Sequence, residues 1–248
     1  MRTIANTPRL TTTASLRRIV REWKNSLKDL ENRYNELNKV LEHITVSWHD
    51  ANIVWLFDNR YKIFDTSERL LSELDAGKLR GLLDNEVPTN NEYPRLTSVS
   101  KELINQYEKN NEKSELRTLI VKIGQRMKLT YQEVEILDLF LNLESLLLIN
   151  QCLEAMLSQA KEILHAQFAL KRALKWQNRT HSYVLPAKWL KKNVRTLGSL
   201  SQAFFFTHLY EFGFRLESKR QNSSAWATYE KKKQEINKKL STAIKILH

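Results

Sequence analysis

The sequence predicts an all-α fold, a bundle of long antiparallel helices with coiled-coil-like heptad packing at both termini, and three observations carry that expectation. Turn formers are scarce, with five glycines and four prolines in 248 residues, against usual frequencies of about 7% and about 5%. The first glycine, Gly77, comes only after 76 residues. Apolar residues recur at helical intervals over long stretches, and no period-two alternation of useful length marks a strand. With 42% hydrophobic residues, one large domain or two small ones have enough apolar material for a sizeable core.

The first element is read from Leu16, Val20, Trp23, Leu27, Leu30, Tyr34, Leu37, Leu41 and Ile44, a 4-3 alternation that forms a heptad seam. It predicts a helix of about 30 residues and roughly 45 Å, with Thr13 or Ser15 as N-cap. Such a seam has to meet another helix, either in its own chain or in a second copy, so self-association through Leu16–Ile44 is one expectation. A second helical stretch starts near His49, with Ile53, Phe57, Tyr61 and Phe64 on one face. Asp65-Thr66-Ser67-Glu68 reads as a capping box that restarts it ahead of Leu70, Leu71 and Leu74.

Residues 84–98 contain Pro88, Thr89, Asn90, Asn91 and Pro94 and read as a loop. Helix is expected to resume near Ser98, fray at Asn110 and Asn111, and continue through Leu116, Leu119, Ile120, Ile123 and Met127, weakened late by Gly124. Thr130-Tyr131-Gln132-Glu133 is a second capping box, and no Gly or Pro follows until Pro186. A helix to about Trp176 would run for ~70 Å, with Asn142 or Asn150 as the place for a kink. Its most apolar window, Ile136 to Ile149, is 14 residues long and holds Asp138 and Glu144. That is too short and charged to span a bilayer and reads as a buried core helix, so no membrane span is expected.

Pro186 then opens a short helix through Trp189 and Val194, with Gly198 as its C′ residue. Ser199 opens the next, whose core candidates are Leu200, Ala203, Phe204, Leu209 and Phe212. From Ala203 to Phe214 there are more rings than one helical face can bury, so part of this Phe-rich run is a candidate docking surface. Ser223 or Ser224 caps the last helix, where Trp226, Tyr229, Ile236, Leu240, Ala243 and Leu247 resume heptad spacing and Lys233 occupies one seam position.

One stretch, Leu129-Thr130-Tyr131-Gln132-Glu133-Val134-Glu135-Ile136-Leu137, resembles the opening of the LuxR-type helix-turn-helix, which would imply a DNA-binding module. The resemblance covers nine residues. That family needs a turn and a recognition helix next, whereas Asp138 to Ile149 continues as apolar helix without a break, and a capping box accounts for the shared residues.

Charge supplies the functional signal. Residues 1–162 hold 23 Lys/Arg against 24 Asp/Glu, a near-neutral helical scaffold region, and residues 163–248 hold 17 against 4, a basic helical region expected to pack on the same bundle. Between Glu162 and Glu211 there is no acidic residue at all. Lys171, Arg172, Lys175, Arg179, Lys188, Lys191, Lys192 and Arg195 lie in that gap, interleaved with Trp176 and Trp189. Cations neutralise phosphates and planar rings stack on bases or support the strand, so these ten residues form the candidate nucleic-acid site. DNA is preferred slightly over RNA because no common RNA-binding signature is present. A second basic set, Lys231, Lys232, Lys233, Lys238 and Lys239, is mixed with Glu230 and Glu235 and reads more as a solvated face.

No phosphate-cradling, dinucleotide-binding or zinc-protease motif occurs, and no two of the six histidines are spaced i,i+4. The expectation is a non-enzymatic protein with no cofactor and no metal. His43 and His49 beside Asp50 are a weak metal cue outweighed by an ordinary polar helix junction. Cys152 is the only cysteine, and Met1-Arg2-Thr3-Ile4 opens no signal-peptide h-region, which points to a reducing, cytoplasmic compartment. A regulatory or accessory nucleic-acid-binding protein is the leading expectation. The alternative is a helical protein–protein adaptor or assembly subunit acting through its heptad seams and Phe-rich segment.

Overall fold

The computed structural model describes residues 13–46, 50–83, 94–109, 116–216 and 223–247. Among them are ten helices: α1 (Thr13–Glu42), α2 (Ala51–Asp58), α3 (Arg60–Glu73), α4 (Ala76–Leu83), α5 (Arg95–Lys109), α6 (Leu116–Met127), α7 (Tyr131–Thr180), α8 (Ala187–Asn193), α9 (Ser199–Glu211) and α10 (Ser223–Ile246). Two-residue strands β1 (Val184–Leu185) and β2 (Arg215–Leu216) pair in parallel. The class is all-α.

The seam of α1 is amphipathic in fact. Leu16, Val20, Trp23, Leu27, Leu30, Tyr34 and Leu37 are all buried within the single chain, and Leu41 and Ile44 are half-buried. Along α10, Tyr229, Ile236, Leu240, Ala243 and Leu247 are buried likewise, while Lys233 is half-buried with its ammonium 6.0 Å from the Tyr229 ring.

The chain divides into two compact units that interleave in sequence. Unit 1 takes the described residues within Met1–Asn32, Val54–Cys152 and Lys238–His248, and unit 2 those within Arg33–Ile53 and Leu153–Asn237. In unit 1 the Trp23 ring meets Phe140 edge-on at 5.9 Å, and Asn150 Nδ2 donates to the Ser26 carbonyl at 2.8 Å. In unit 2 Arg33 pairs with Glu154 at 3.2 Å, Glu36 with Lys161 at 2.6 Å, and Gln167 Nε2 donates to the His43 carbonyl at 2.8 Å. In each unit the partner numbers rise together, so α1 and α7 run parallel where they touch. Within unit 1, α5 does the same: Arg95 meets Glu133 and Lys101 meets Glu144. Antiparallel neighbours are what short loops enforce. Only six residues separate α5 from α6, which meet where Glu102 lies 3.4 Å from Arg126, whereas α1 and α7 are separated by a long stretch of chain that lets the direction repeat.

The start of α7 is fixed by the capping box read from the sequence. Thr130 N donates to Glu133 Oε2 at 2.7 Å and Glu133 N to Thr130 Oγ1 at 3.2 Å. Arg95 adds a fork, with Nε at 3.0 Å from Oε1 and Nη2 at 2.6 Å from Oε2. Partners on three sides hold the buried Glu133 carboxyl below its ordinary range despite the desolvation that opposes them. From there α7 continues for 50 residues without a turn, which is incompatible with a helix-turn-helix at this place. Asn142 and Asn150 do not break it: Asn142 Nδ2 donates to Asp138 Oδ2 at 3.2 Å, and Asn150 is spent on Ser26. The helix outlasts Trp176 by one turn, to Thr180, where His181 in the left-handed region (φ 51°) stops it.

Other boundaries differ from expectation for local reasons. Asp65-Thr66-Ser67-Glu68 is no cap: Thr66 and Ser67 are buried mid-helix in α3, and Thr66 Oγ1 donates back to the Lys62 carbonyl at 2.8 Å. The interruption falls instead at Asn59. The cap further on is Asp75, whose Oδ1 accepts from Gly77 N at 2.8 Å and Lys78 N at 2.9 Å at the start of α4. α5 begins at Arg95, directly after Pro94, rather than at Ser98. Residues 84–93 of the expected loop, and Asn110 and Asn111, lie outside the described residues.

The apolar window read as too short for a membrane belongs to a helix that is long and apolar enough to cross one by length and composition, yet 72% of its most apolar stretch is buried inside the protein. That is the condition of a core helix. Cys152, on the same helix, is buried, and burial pushes its thiol up to about 12, so it is an unreactive packing residue.

Glu144 is a buried acid of this core. Among the described residues its Oε1 has no hydrogen-bond partner, and its Oε2 is 3.8 Å from Lys101 Nζ. Burial raises its carboxyl to about 7, against the pull of Lys101. The folded state therefore keeps a proton that the unfolded chain has released. The stability this confers is full below about pH 4.5 and is lost as pH rises through about 7, by roughly 3 kcal/mol at most. Glu144→Gln is expected to abolish that fall, which urea unfolding at pH 5 and pH 8 measures. An unchanged pH dependence in the variant would show that Glu144 is not its source.

Candidate nucleic-acid interface

The candidate site is built in unit 2 on one hydrophobic cluster. Ile163, Ala166, Ala169, Leu170 and Ala173 of α7 pack with Leu185, Val194, Phe204, Phe205, Leu209 and Phe214. Alanines on α7 let the neighbouring elements come close, and the phenylalanines of α9 fill the space. Burial thus takes most of the Phe-rich run, leaving only Tyr210 and Phe212 with large exposure.

Two polar devices fix the parts. Gln167, fully buried on α7, uses Oε1 to accept from Thr45 N at 2.6 Å and Val46 N at 3.1 Å while its amide donates to His43, so one side chain ties down the chain leaving α1. Glu162 docks α9: its carbonyl accepts from Ser201 Oγ at 2.8 Å and its carboxylate from Ser201 N at 3.3 Å and from Ser201 Oγ. An anion at a helix N-terminus is favoured there by the unpaired N–H groups and the helix dipole. Gly198 makes the approach possible, since a Cβ at this position would lie 2.7 Å from Glu162 Oε1. The glycine has φ −62° and is the N-cap of α9, and it does not end α8 as a left-handed C′ residue.

α8 is held between these elements. Pro186 is its N-cap, as the sequence implies, and the β1–β2 pairing and the Arg215 N to Tyr183 O bond at 2.8 Å secure the segment before it. The Trp189 ring stacks near-parallel on Phe205 with centroids 6.4 Å apart, and Val194 is buried beyond it. Lys188, Lys191 and Lys192 consequently point outward from a helix pinned on its other side.

All eight cations read from the sequence are exposed: Lys171, Arg172, Lys175 and Arg179 on the last turns of α7, Lys188, Lys191 and Lys192 on α8, and Arg195 in the turn after it. Arg172 Nη2 reaches to 3.5 Å of the Asn193 carbonyl, which places the α7 cations beside the C-terminal end of α8. Among the described residues none of the eight has a carboxylate within 4 Å, whereas Arg33, Arg95, Lys101, Arg126, Lys161 and Lys238 each do. Of the second basic set, Lys238 is therefore partly neutralised, by Glu108 at 3.6 Å.

The two tryptophans are placed differently from a stacking platform. Both are half-buried and pack against the unit 2 core, and Trp176 Nε1 is buried with no hydrogen-bond partner among the described residues. The rings that do face outward in this region are Phe168, 46% exposed, and Tyr183, 50% exposed. Phe168 has a sequence signal that the Trp-centred reading passes over. It interrupts Lys161, His165, Arg172, Lys175 and Arg179, positions spaced 4-3-4-3-4 together with it, which is one solvent face of a helix.

The weak metal cue has ordinary partners. His43 Nδ1 lies 2.7 Å from the Lys39 carbonyl, Asp50 Oδ1 accepts from Asn52 N at 2.9 Å as the cap of α2, and His49 is outside the described residues. Among the described residues no group of three His, Cys, Asp or Glu side chains is arranged to hold a metal ion. The chain matches no family model, no curated protein and no solved structure.

Proposed function

We propose that the protein binds nucleic acid through the basic face of unit 2, as a regulatory or accessory protein without catalysis, with DNA the first choice of polyanion. The observation that carries this reading is the set of eight exposed cations with no carboxylate within 4 Å among the described residues, presented by α7, by a helix docked beside it and by the turn that follows. A solubilising surface intersperses both signs of charge. A segregated, uncompensated patch raises the local concentration of a polyanion and exchanges its counterions for fixed ammonium and guanidinium groups. Arg172, Lys175 and Arg179 supply that charge along α7, and Lys188, Lys191 and Lys192 extend it along α8. Trp176 and Trp189 support the surface from beneath.

Fluorescence anisotropy with labelled oligonucleotides across a salt series tests the proposal. Engagement of five to eight phosphates predicts a slope of log K against log salt between about −3.5 and −5.5 for a single strand and between about −4.5 and −7 for a duplex. Absence of binding at about 50 mM salt would remove this reading. It would leave the adaptor alternative, for which the Phe-rich run offers Tyr210 and Phe212, exposed beside the buried Phe cluster.

A further inference from the structure

We infer that the nucleic acid is taken as a single strand, laid along the exposed face of α7 with a base stacked on Phe168; this deepens the proposed function and rests on it. The face is defined by His165, Phe168, Arg172, Lys175 and Arg179, with Lys161, whose ammonium is paired with Glu36, at its N-terminal edge. It extends about 27 Å at 1.5 Å per residue. It lies opposite the side of the helix that buries Ala166, Ala169, Leu170 and Ala173, so Phe168 has no packing role in the core. An open depression of about 400 Å³ surrounds it, lined by Phe168, Lys171, Arg172, Leu174, Lys175 and Asn178. A ring and cations thus share one concave surface.

The chemistry of phenylalanine decides between strand forms. Its ring carries no donor or acceptor and offers a π-face, whose natural complement is the face of another planar ring. In a duplex the base faces are occupied by stacking and only their edges reach the grooves, where the thymine methyl is the one apolar feature. An unpaired strand presents base faces freely, and a single aromatic platform beside a cationic track binds it without sequence preference. The neighbouring Lys171 and Arg172 sit about one helical turn from Phe168 and Lys175 about two, positions from which they can hold the phosphates that flank a stacked base.

The test compares the full-length protein with Phe168→Ala and Phe168→Trp by anisotropy, using a labelled oligo-dT and a mixed-sequence duplex of the same length at one low salt concentration. Circular dichroism confirms that each variant is folded. The expected result is single-strand binding tighter than duplex binding. Phe168→Ala weakens it by about 5- to 100-fold, with the salt slope unchanged because no charge is removed, and Phe168→Trp restores it. Duplex affinity stays within about twofold of wild type, since no base face is available there. Single-strand binding that persists undiminished in Phe168→Ala overturns the inference while leaving the basic face intact as a binding surface. Binding by neither oligonucleotide overturns the proposed function itself. A Phe168-dependent affinity for vesicles containing phosphatidylserine, with equal weak binding of both oligonucleotides, assigns the ring to a membrane surface and also overturns it.

Discussion

Changing Lys171, Arg172 and Lys175 together to glutamate is expected to weaken nucleic-acid binding at about 50 mM salt by at least about 100-fold, with the fold unaffected. All three side chains are exposed on the outer face of α7, and among the described residues the hydrogen bond that ties them to another part of unit 2 is the long approach of Arg172 to the Asn193 carbonyl. Each substitution removes a phosphate partner and installs a like charge against the polyanion, so the loss exceeds that of three neutral changes. The same triple change on α10, at Lys231, Lys232 and Lys239, is the matched control, and it should cost far less because Glu230 and Glu235 already dilute that surface. Equal losses from the two triples would mean that total charge, rather than a site, governs binding.

The second large effect is structural. Phe205→Ala is expected to destabilise the protein by about 3–5 kcal/mol in urea unfolding, because the ring is fully buried and its removal leaves a cavity between α9 and α8. It should also reduce oligonucleotide affinity under conditions where the protein remains folded. Trp189 stacks on Phe205, so the substitution frees the helix that presents Lys188, Lys191 and Lys192. A cost below about 1 kcal/mol would show that the site collapses without loss and that α8 is held by other contacts.

Much of the fold was legible because the strongest local signals agree with the packing. The α1 seam, the Thr130–Glu133 capping box and the Pro186 start of α8 depend on spacing or on single residues, and each is present in the structure. Helix direction was not legible: α1 and α7 contain nothing that states their relative sense, and their parallel contacts arise from partners far apart in sequence. Asp65-Thr66-Ser67-Glu68 misleads because Thr and Ser also serve inside helices, where Thr66 bonds to Lys62 instead of capping. Gly198 misleads for a related reason, since the space its missing Cβ leaves is taken by the Glu162 carboxylate, 36 residues earlier in the chain.

At the candidate site the cations were legible as a gap in acidic residues, and the structure places all eight at the surface. Which rings accompany them was not. Trp176 and Trp189 stand next to lysines in sequence, but neighbours in a helix point about 100° apart, and both rings turn inward to the core. Phe168 stands among Ala166, Gln167, Ala169 and Leu170, all buried, and only its period relative to Lys161, Arg172 and Lys175 reveals that it faces solvent.

The central claim, that the phosphates sit on the α7 and α8 cations, is tested most directly by the salt dependence of binding measured side by side for the wild-type protein and for Lys171→Glu, Arg172→Glu and Lys175→Glu combined. The account predicts that the magnitude of the slope falls by about 2 to 3, the contribution of three phosphates. Identical slopes would place the phosphates elsewhere on the protein and contradict it.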